Sequence, residues 1–170
     1  MNEDELLDLV DENDNVIGQV LRSESDRLDQ SGEGYIRAAT CLIQNSKGEL
    51  WIPRRTKNKR IAPLGLDSSM QEHMVAGETY EQAAIRGFKE ELGLEISAKE
   101  LEFIGKLSPT PDLYYLVALF RYKTDKSPKY NPEDFVSAEW IKPEELIKRL
   151  ENGEPAKKSL LPTVKLLIKF

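Results

Sequence analysis

The chain has 170 residues, enough for one domain that buries a core without disulfide or metal staples. Its residues are 39% hydrophobic and 32% charged, a globular balance that argues against disorder. A formal charge of -6 and a pI near 5.0 argue against broad nucleic-acid binding and favour a small-molecule partner.

The chain opens MNEDELLDLVDENDN, acidic almost from its first residue, which is the wrong chemistry for a signal peptide. No apolar run approaches a membrane span, so a cytoplasmic location with no membrane partner is expected. The sole cysteine, Cys41, suits a reducing compartment, and its place in a β-rich run fits a small core residue. Leu6 to Val10 and Val16 to Val20 flank DENDN as strand, turn and strand. Ala38 to Gln44 and Glu49 to Arg55, joined by NSKG, predict a hairpin. Residues 56–70 are irregular and rich in Lys, Pro and Gly, the pattern of a functional loop. Thr79 and Gln82 form a capping-box pattern, so a helix is expected from Tyr80 to Leu92 with Gly93 as its C-cap. Leu101 to Lys106 and Tyr114 to Tyr122 predict further strands. Helices follow from Pro143 to about Leu150 and from Leu160 to Ile168, the latter with Pro162 in its first turn. Interleaved strands and helices predict an α/β or α+β sandwich.

The helix over 80–92 carries the chemistry. At 100° per residue, Arg86, Gly87, Glu90 and Glu91 fall within an arc of about 140°, opposite Ala84, Ile85, Phe88 and Leu92. Adjacent carboxylates raise each other's pKa unless a cation intervenes. Hard cations such as Mg²⁺ take oxygen ligands of this kind. Arg86 stands one turn before Glu90 and can orient it. Gly87 is out of place here, since glycine costs about 1 kcal/mol relative to alanine inside a helix. It implies either a close approach by another group or the loss of a useful side chain.

The wider spacing, Glu78, seven residues, Arg86, then Phe88, Glu90, Glu91, Gly93 and Leu94, resembles the Nudix box, G-x5-E-x7-R-E-U-x-E-E-x-G-U. Its opening glycine falls on Glu72, and the glutamate after the arginine falls on Gly87. DENDNVIG, ATCLIQNSKGELWIPRR, LGLDSSMQEHM and EDFVSAEWIKPEEL occur in the order of the Nudix branch that holds isopentenyl-diphosphate isomerases and related bacterial hydrolases. The resemblance implies one Nudix α/β/α sandwich with a mixed sheet over residues 1–170. Residues 1–34 would be an N-terminal hairpin extension and 35–170 the core.

It also implies metal-dependent hydrolysis of a diphosphate linkage in a substrate of the nucleoside-diphosphate-X type. Glu90 and Glu91 would hold Mg²⁺ or Mn²⁺, Arg86 would orient them, and Glu78 would brace the loop or bind a second metal. His73 matches a metal-binding histidine of the isomerase branch, and Gln71, Glu72 and His73 could line the same cavity. Arg54 and Arg55, in the cationic run RRTKNKR, are candidate diphosphate clamps. Adjacent on a strand, they point to opposite faces, so one of them is expected to reach the ligand. The general base is open among Glu72, Glu133 and Asp134. A competing reading is a module that binds a nucleotide or diphosphate without turnover, with Gly87 marking lost catalysis. A third, isomerase activity, is disfavoured: Gln71 stands at the cysteine position, and Tyr114 or Tyr115 stands near that of the catalytic glutamate. The expected partner is a small-molecule diphosphate, with no nucleic acid, and a homodimer stays open as the state of assembly.

Overall fold

The first two apolar runs form β1 (Leu6–Val10) and β2 (Val16–Leu21), an antiparallel hairpin in a computed structural model that describes residues 4–170. The acidic start at Glu3 lies outside the described residues. At the hairpin turn Asp14 adopts φ 66°, a left-handed conformation that a short carboxylate side chain tolerates. Its side chain accepts from Arg37 Nε at 2.6 Å, Tyr80 Oη at 2.9 Å and Lys106 Nζ at 2.6 Å, which ties the turn to the rest of the chain. A 3-10 turn over Arg22–Arg27 and a one-turn helix, α1 (Leu28–Ser31), follow in a stretch whose sequence carries no periodic signal.

The main sheet contains β3 (Ile36–Gln44), β4 (Leu50–Arg55), β5 (Met70–His73), β6 (Leu101–Leu107), β7 (Tyr115–Lys123) and β8 (Phe135–Ile141). Its order is β6-β7-β3-β4-β8, with β5 also paired to β3. It is mixed, since β3 runs parallel to β7 and antiparallel to β4 and β5. The expected β3–β4 hairpin is paired only at its turn, Gln44 against Leu50, after which β4 turns to pair with β8. The β3 edge left open is taken by β5, in register from Ala38/His73 to Cys41/Met70. Ser69 fills the fork. Its hydroxyl accepts from the Ile43 amide at 2.8 Å and donates to the Trp51 carbonyl at 2.6 Å, satisfying two buried backbone groups that no strand reaches.

Alternation along β3 sends Ala39, Cys41 and Ile43 to one face and Leu42 to the other. The first face packs with Phe120 against Ala84, Phe88 and Leu92 of α2 (Tyr80–Leu92). The second packs against Leu146 of α3 (Pro143–Glu151) and Leu160, Val164 and Leu167 of α4 (Leu160–Lys169). The result is an α/β/α sandwich with an N-terminal hairpin. Cys41 is fully buried in its core, and burial pushes its thiol pKa up. Among the described residues no helix is long and apolar enough to cross a membrane.

Candidate functional site

The acidic helix is fixed at both ends by local chemistry. Thr79 Oγ1 accepts from the Gln82 amide at 3.2 Å, and Gln82 Oε1 accepts from the Thr79 amide at 2.9 Å. Gly93 closes the helix at φ 61°, donating its amide back to Lys89. Between these caps the helix buries more than its apolar stripe, because Ala83 and Gly87 are buried as well. The neighbour on that side is β5. A Cβ placed on Gly87 would lie 2.5 Å from Met70 Sδ and 3.1 Å from Glu72 Cβ. The absent side chain at Gly87 is therefore a close approach of helix and strand.

Arg86 is the hub. Its Nε and Nη2 donate to the two oxygens of Glu78 at 2.8 and 3.0 Å, and Nη2 also donates to the His73 carbonyl at 2.7 Å. Nη1 lies 3.4 Å from Glu90 and 3.6 Å from Glu72. Glu78 accepts in addition from the Val75 amide at 2.9 Å, so both its oxygens are engaged in holding the loop 74–78 onto the helix. Bidentate hydrogen bonds from a guanidinium fix orientation as well as charge. Glu78 and the acids are what hold the Arg86 pKa up, its hydrogen bonds to Glu78 foremost.

The remaining carboxylates differ in exposure. The Glu90 side chain is 58% exposed, whereas that of Glu72 is 11% exposed. Burial raises the Glu72 pKa, Arg86 opposes, and Glu90 adds to the rise. Glu91 is pushed up to about 8 by burial, then by the negative charges of Glu72 and Asp67, with Lys157 opposing. Glu91, Glu72 and Asp67 thus bring three acids into one poorly hydrated region. Among the described residues no three acidic, His or Cys groups close into a preformed metal cage.

Alternation divides the polar residues of β5. Glu72 faces α2, while Gln71 and His73 turn to the opposite side, towards Tyr115. The expected common cavity for Gln71, Glu72 and His73 is therefore split by the strand. His73 packs edge-on to Tyr115, its Nδ1 finds no hydrogen-bond partner among the described residues, and burial with nearby cations lowers its pKa to about 4. Gln71 donates to Tyr115 Oη at 3.0 Å and accepts from Ser159 Oγ at 3.1 Å. The positions matched to the isomerase thiol and carboxylate thus meet in space, occupied by an amide and a phenol.

Both candidate clamps are engaged within the protein. Arg54 donates to Glu154 at 2.6 Å and to the Leu64 carbonyl at 2.8 Å. Arg55 donates to Asp67 at 2.7 Å and to the Ile61 carbonyl at 2.8 Å. Asp134 is paired with Lys59 at 2.5 Å, and Glu133 sits exposed on the same turn. Sequence reasoning passed over Asp67 and Lys157, which lie 3.6 Å apart and both act on Glu91. No local signal marks them, because they are brought together by pairing of the 64–67 loop with the segment around Ala156.

The site is thus an arginine-braced acidic helix laid against strand β5 of a mixed sheet that lies between helices. The NUDIX domain family matches residues 34–164, and the chain belongs to that family. An uncharacterised Nudix hydrolase of Nostoc sp. is 41% identical over 167 residues, covering 98% of this chain and 97% of the relative. The crystal structure of DR0079 from Deinococcus radiodurans superposes with a TM-score of 0.82 at 36% identity, covering 95% of this chain and 98% of that one. An isopentenyl-diphosphate Delta-isomerase of Photorhabdus laumondii is 30% identical over 152 residues, covering 86% and 84% of the two chains. Relatives named as Nudix hydrolases thus match nearly the whole chain.

Proposed function

We propose that this chain hydrolyses the diphosphate linkage of a nucleoside-diphosphate-X type small molecule, with Mg²⁺ or Mn²⁺ as its cofactor. The observation that carries the reading is the placement of Glu91, largely withdrawn from solvent in the company of Glu72 and Asp67, with Glu90 exposed at the rim. Such a group of carboxylates is repulsive alone and becomes favourable around a divalent cation. The donors are all hard oxygens, which fits magnesium or manganese, and His73 is turned away from them. Glu90 and Glu91 would hold the ion. When bound, it would neutralise diphosphate oxygens and make phosphorus a better target for water.

The protein's own residues prepare that event. Arg86 and Glu78 lock the helix against the loop, so the two glutamates start from a fixed backbone. Glu91 gives up its proton on binding the ion, so binding strengthens as pH rises towards about 8. Glu72 and Glu133 remain as candidate bases, Asp134 being held by Lys59. Arg55 and Lys157, both paired with Asp67, are cations that could turn to a diphosphate once those pairs open.

The close approach of Met70 and Glu72 gives Gly87 a packing reason, which supports the hydrolase reading over a module that has lost catalysis. The Gln71–Tyr115 pair offers neither thiol nor carboxylate for isomerase proton transfer. The test is phosphate or nucleotide release with Mg²⁺ or Mn²⁺ across nucleoside, dinucleotide and isoprenoid diphosphates, beside a Glu90→Gln, Glu91→Gln double variant. Metal-dependent turnover that the double variant loses is expected. Metal-dependent thermal stabilisation without turnover would overturn hydrolysis in favour of binding alone.

A further inference from the structure

The two departures from the box, Glu72 and Gly87, are far apart in sequence and adjacent in space. An added Cβ at Gly87 would meet Glu72 Cβ at 3.1 Å and Met70 Sδ at 2.5 Å, the latter a distance that real Cβ atoms essentially never show. The volume that a glutamate at 87 would enter is therefore occupied from β5, and part of what occupies it is itself a glutamate. Glu72 leaves the strand on the α2 side, and its carboxylate ends among Arg86, Glu90 and Glu91.

An alternative role as a brace for Arg86 is weak on the distances. Arg86 already holds Glu78 with two bonds, at 2.8 and 3.0 Å, and the His73 carbonyl at 2.7 Å. The approach of Glu72 at 3.6 Å is the longest of its contacts, too long for a hydrogen bond. Glu72 is nonetheless largely buried, and its carboxylate accepts no hydrogen bond from the described residues. Its oxygens are not sealed from solvent, so a further ligand can reach them.

We propose that Glu72 and Gly87 are one exchange, in which the carboxylate absent from helix α2 is supplied by strand β5, and that Glu72 ligates the divalent cation together with Glu90 and Glu91. This rests on the metal-dependent reading above. The exchange also explains the glycine: with Glu72 and Met70 on the strand, the helix can sit at this distance only if position 87 has no side chain. The motif is altered at both positions, yet the number of carboxylates facing the site is conserved.

The experiment measures Mn²⁺ binding directly, by titration calorimetry and water-proton relaxation, with metal-free melting recorded for each protein. The proteins are wild type, Glu72→Gln, and the swapped variant Glu72→Gly, Gly87→Glu carrying Met70→Ala, which clears the Sδ that would otherwise meet the new Cβ at 2.5 Å. Wild type is expected to bind. Glu72→Gln, which is nearly isosteric, is expected to keep its fold and to lose roughly tenfold to a hundredfold in affinity. The swapped variant is expected to recover most of that loss, which a structural brace for Arg86 would not do. Glu72→Gln binding within about twofold of wild type, or a loss that the swap does not restore, overturns the exchange while leaving the hydrolase reading intact. Wild type that binds no Mn²⁺ overturns both.

Discussion

Replacing Glu91 by glutamine should stabilise the metal-free protein at neutral pH, although it removes a residue of the proposed site. Burial and the negative charges of Glu72 and Asp67 push Glu91 up to about 8 from an ordinary value of 4.5. A carboxyl group whose folded pKa lies above its unfolded one is held more tightly as the acid in the folded chain. Its contribution to stability is thus fully present below pH 4.5 and is lost as pH rises through about 8. From pH 4.5 to 7 spans 2.5 pH units at 1.36 kcal/mol each, so wild type loses about 3 kcal/mol through this group. Glutamine stays neutral throughout and loses none of it. At about 2–4 °C per kcal/mol for a chain of this size, the variant should melt about 6–12 °C above wild type at pH 7. The two should converge near pH 4.5. The assay is thermal melting by circular dichroism in chelator, in half-unit steps of pH, for both proteins. Subtracting the curves removes the titrations that are not coupled to Glu91, including that of His73, whose lowered pKa acts in the opposite direction. Parallel curves would refute the claim that Glu91 is held as an acid by its neighbours.

Gly87→Ala should lose about 1 kcal/mol in urea unfolding, because overpacking against Met70 and Glu72, at about 1–3 kcal/mol, outweighs the gain of about 1 kcal/mol in helix propensity. A more stable variant would show that helix and strand separate freely. Arg86→Lys should cost about 2 kcal/mol, since one ammonium cannot reproduce the fork that grips Glu78 and the His73 carbonyl; wild-type stability would remove Arg86 as the hub. Asp134→Asn breaks a half-exposed pair with Lys59 and should cost less than about 1 kcal/mol globally. Limited proteolysis within residues 56–66 should nevertheless quicken, and an unchanged cleavage pattern would show that the pair does not hold that loop.

What could be read from sequence was what local chemistry decides. The acidic helix runs from Tyr80 to Leu92 as expected, because Thr79, Gln82 and Gly93 specify its ends within a turn of each. Strand β5 was invisible for the opposite reason. Met70, Gln71, Glu72 and His73 look like loop, and they form a strand only because β4 leaves the edge of β3 vacant. The same blindness applied to the site. The meeting of Arg86 with Glu78 and Glu90 could be expected from fixed spacing, but the reason for Gly87 lies 17 residues upstream at Met70. The partners of Arg54 and Lys157 are equally non-local, with Glu154 lying 100 residues from Arg54. Spacing on one element can be counted; which strand comes to lie beside it cannot.

The hairpin turn at Asp14 bears on where this protein can be cut. The family match begins at residue 34, which invites a shortened chain that starts there. Yet Asp14 is the shared acceptor for the Arg37 guanidinium, the Tyr80 phenol at the start of the acidic helix, and the Lys106 ammonium. Trimming the hairpin would leave two cations facing each other over the Tyr80 ring, where Arg37 lies 5.7 Å and Lys106 4.6 Å from the ring centre. The stretch that defines the family is therefore shorter than the stretch that has to be synthesised for the acidic helix to be seated, and the first two strands work as a latch on the start of that helix.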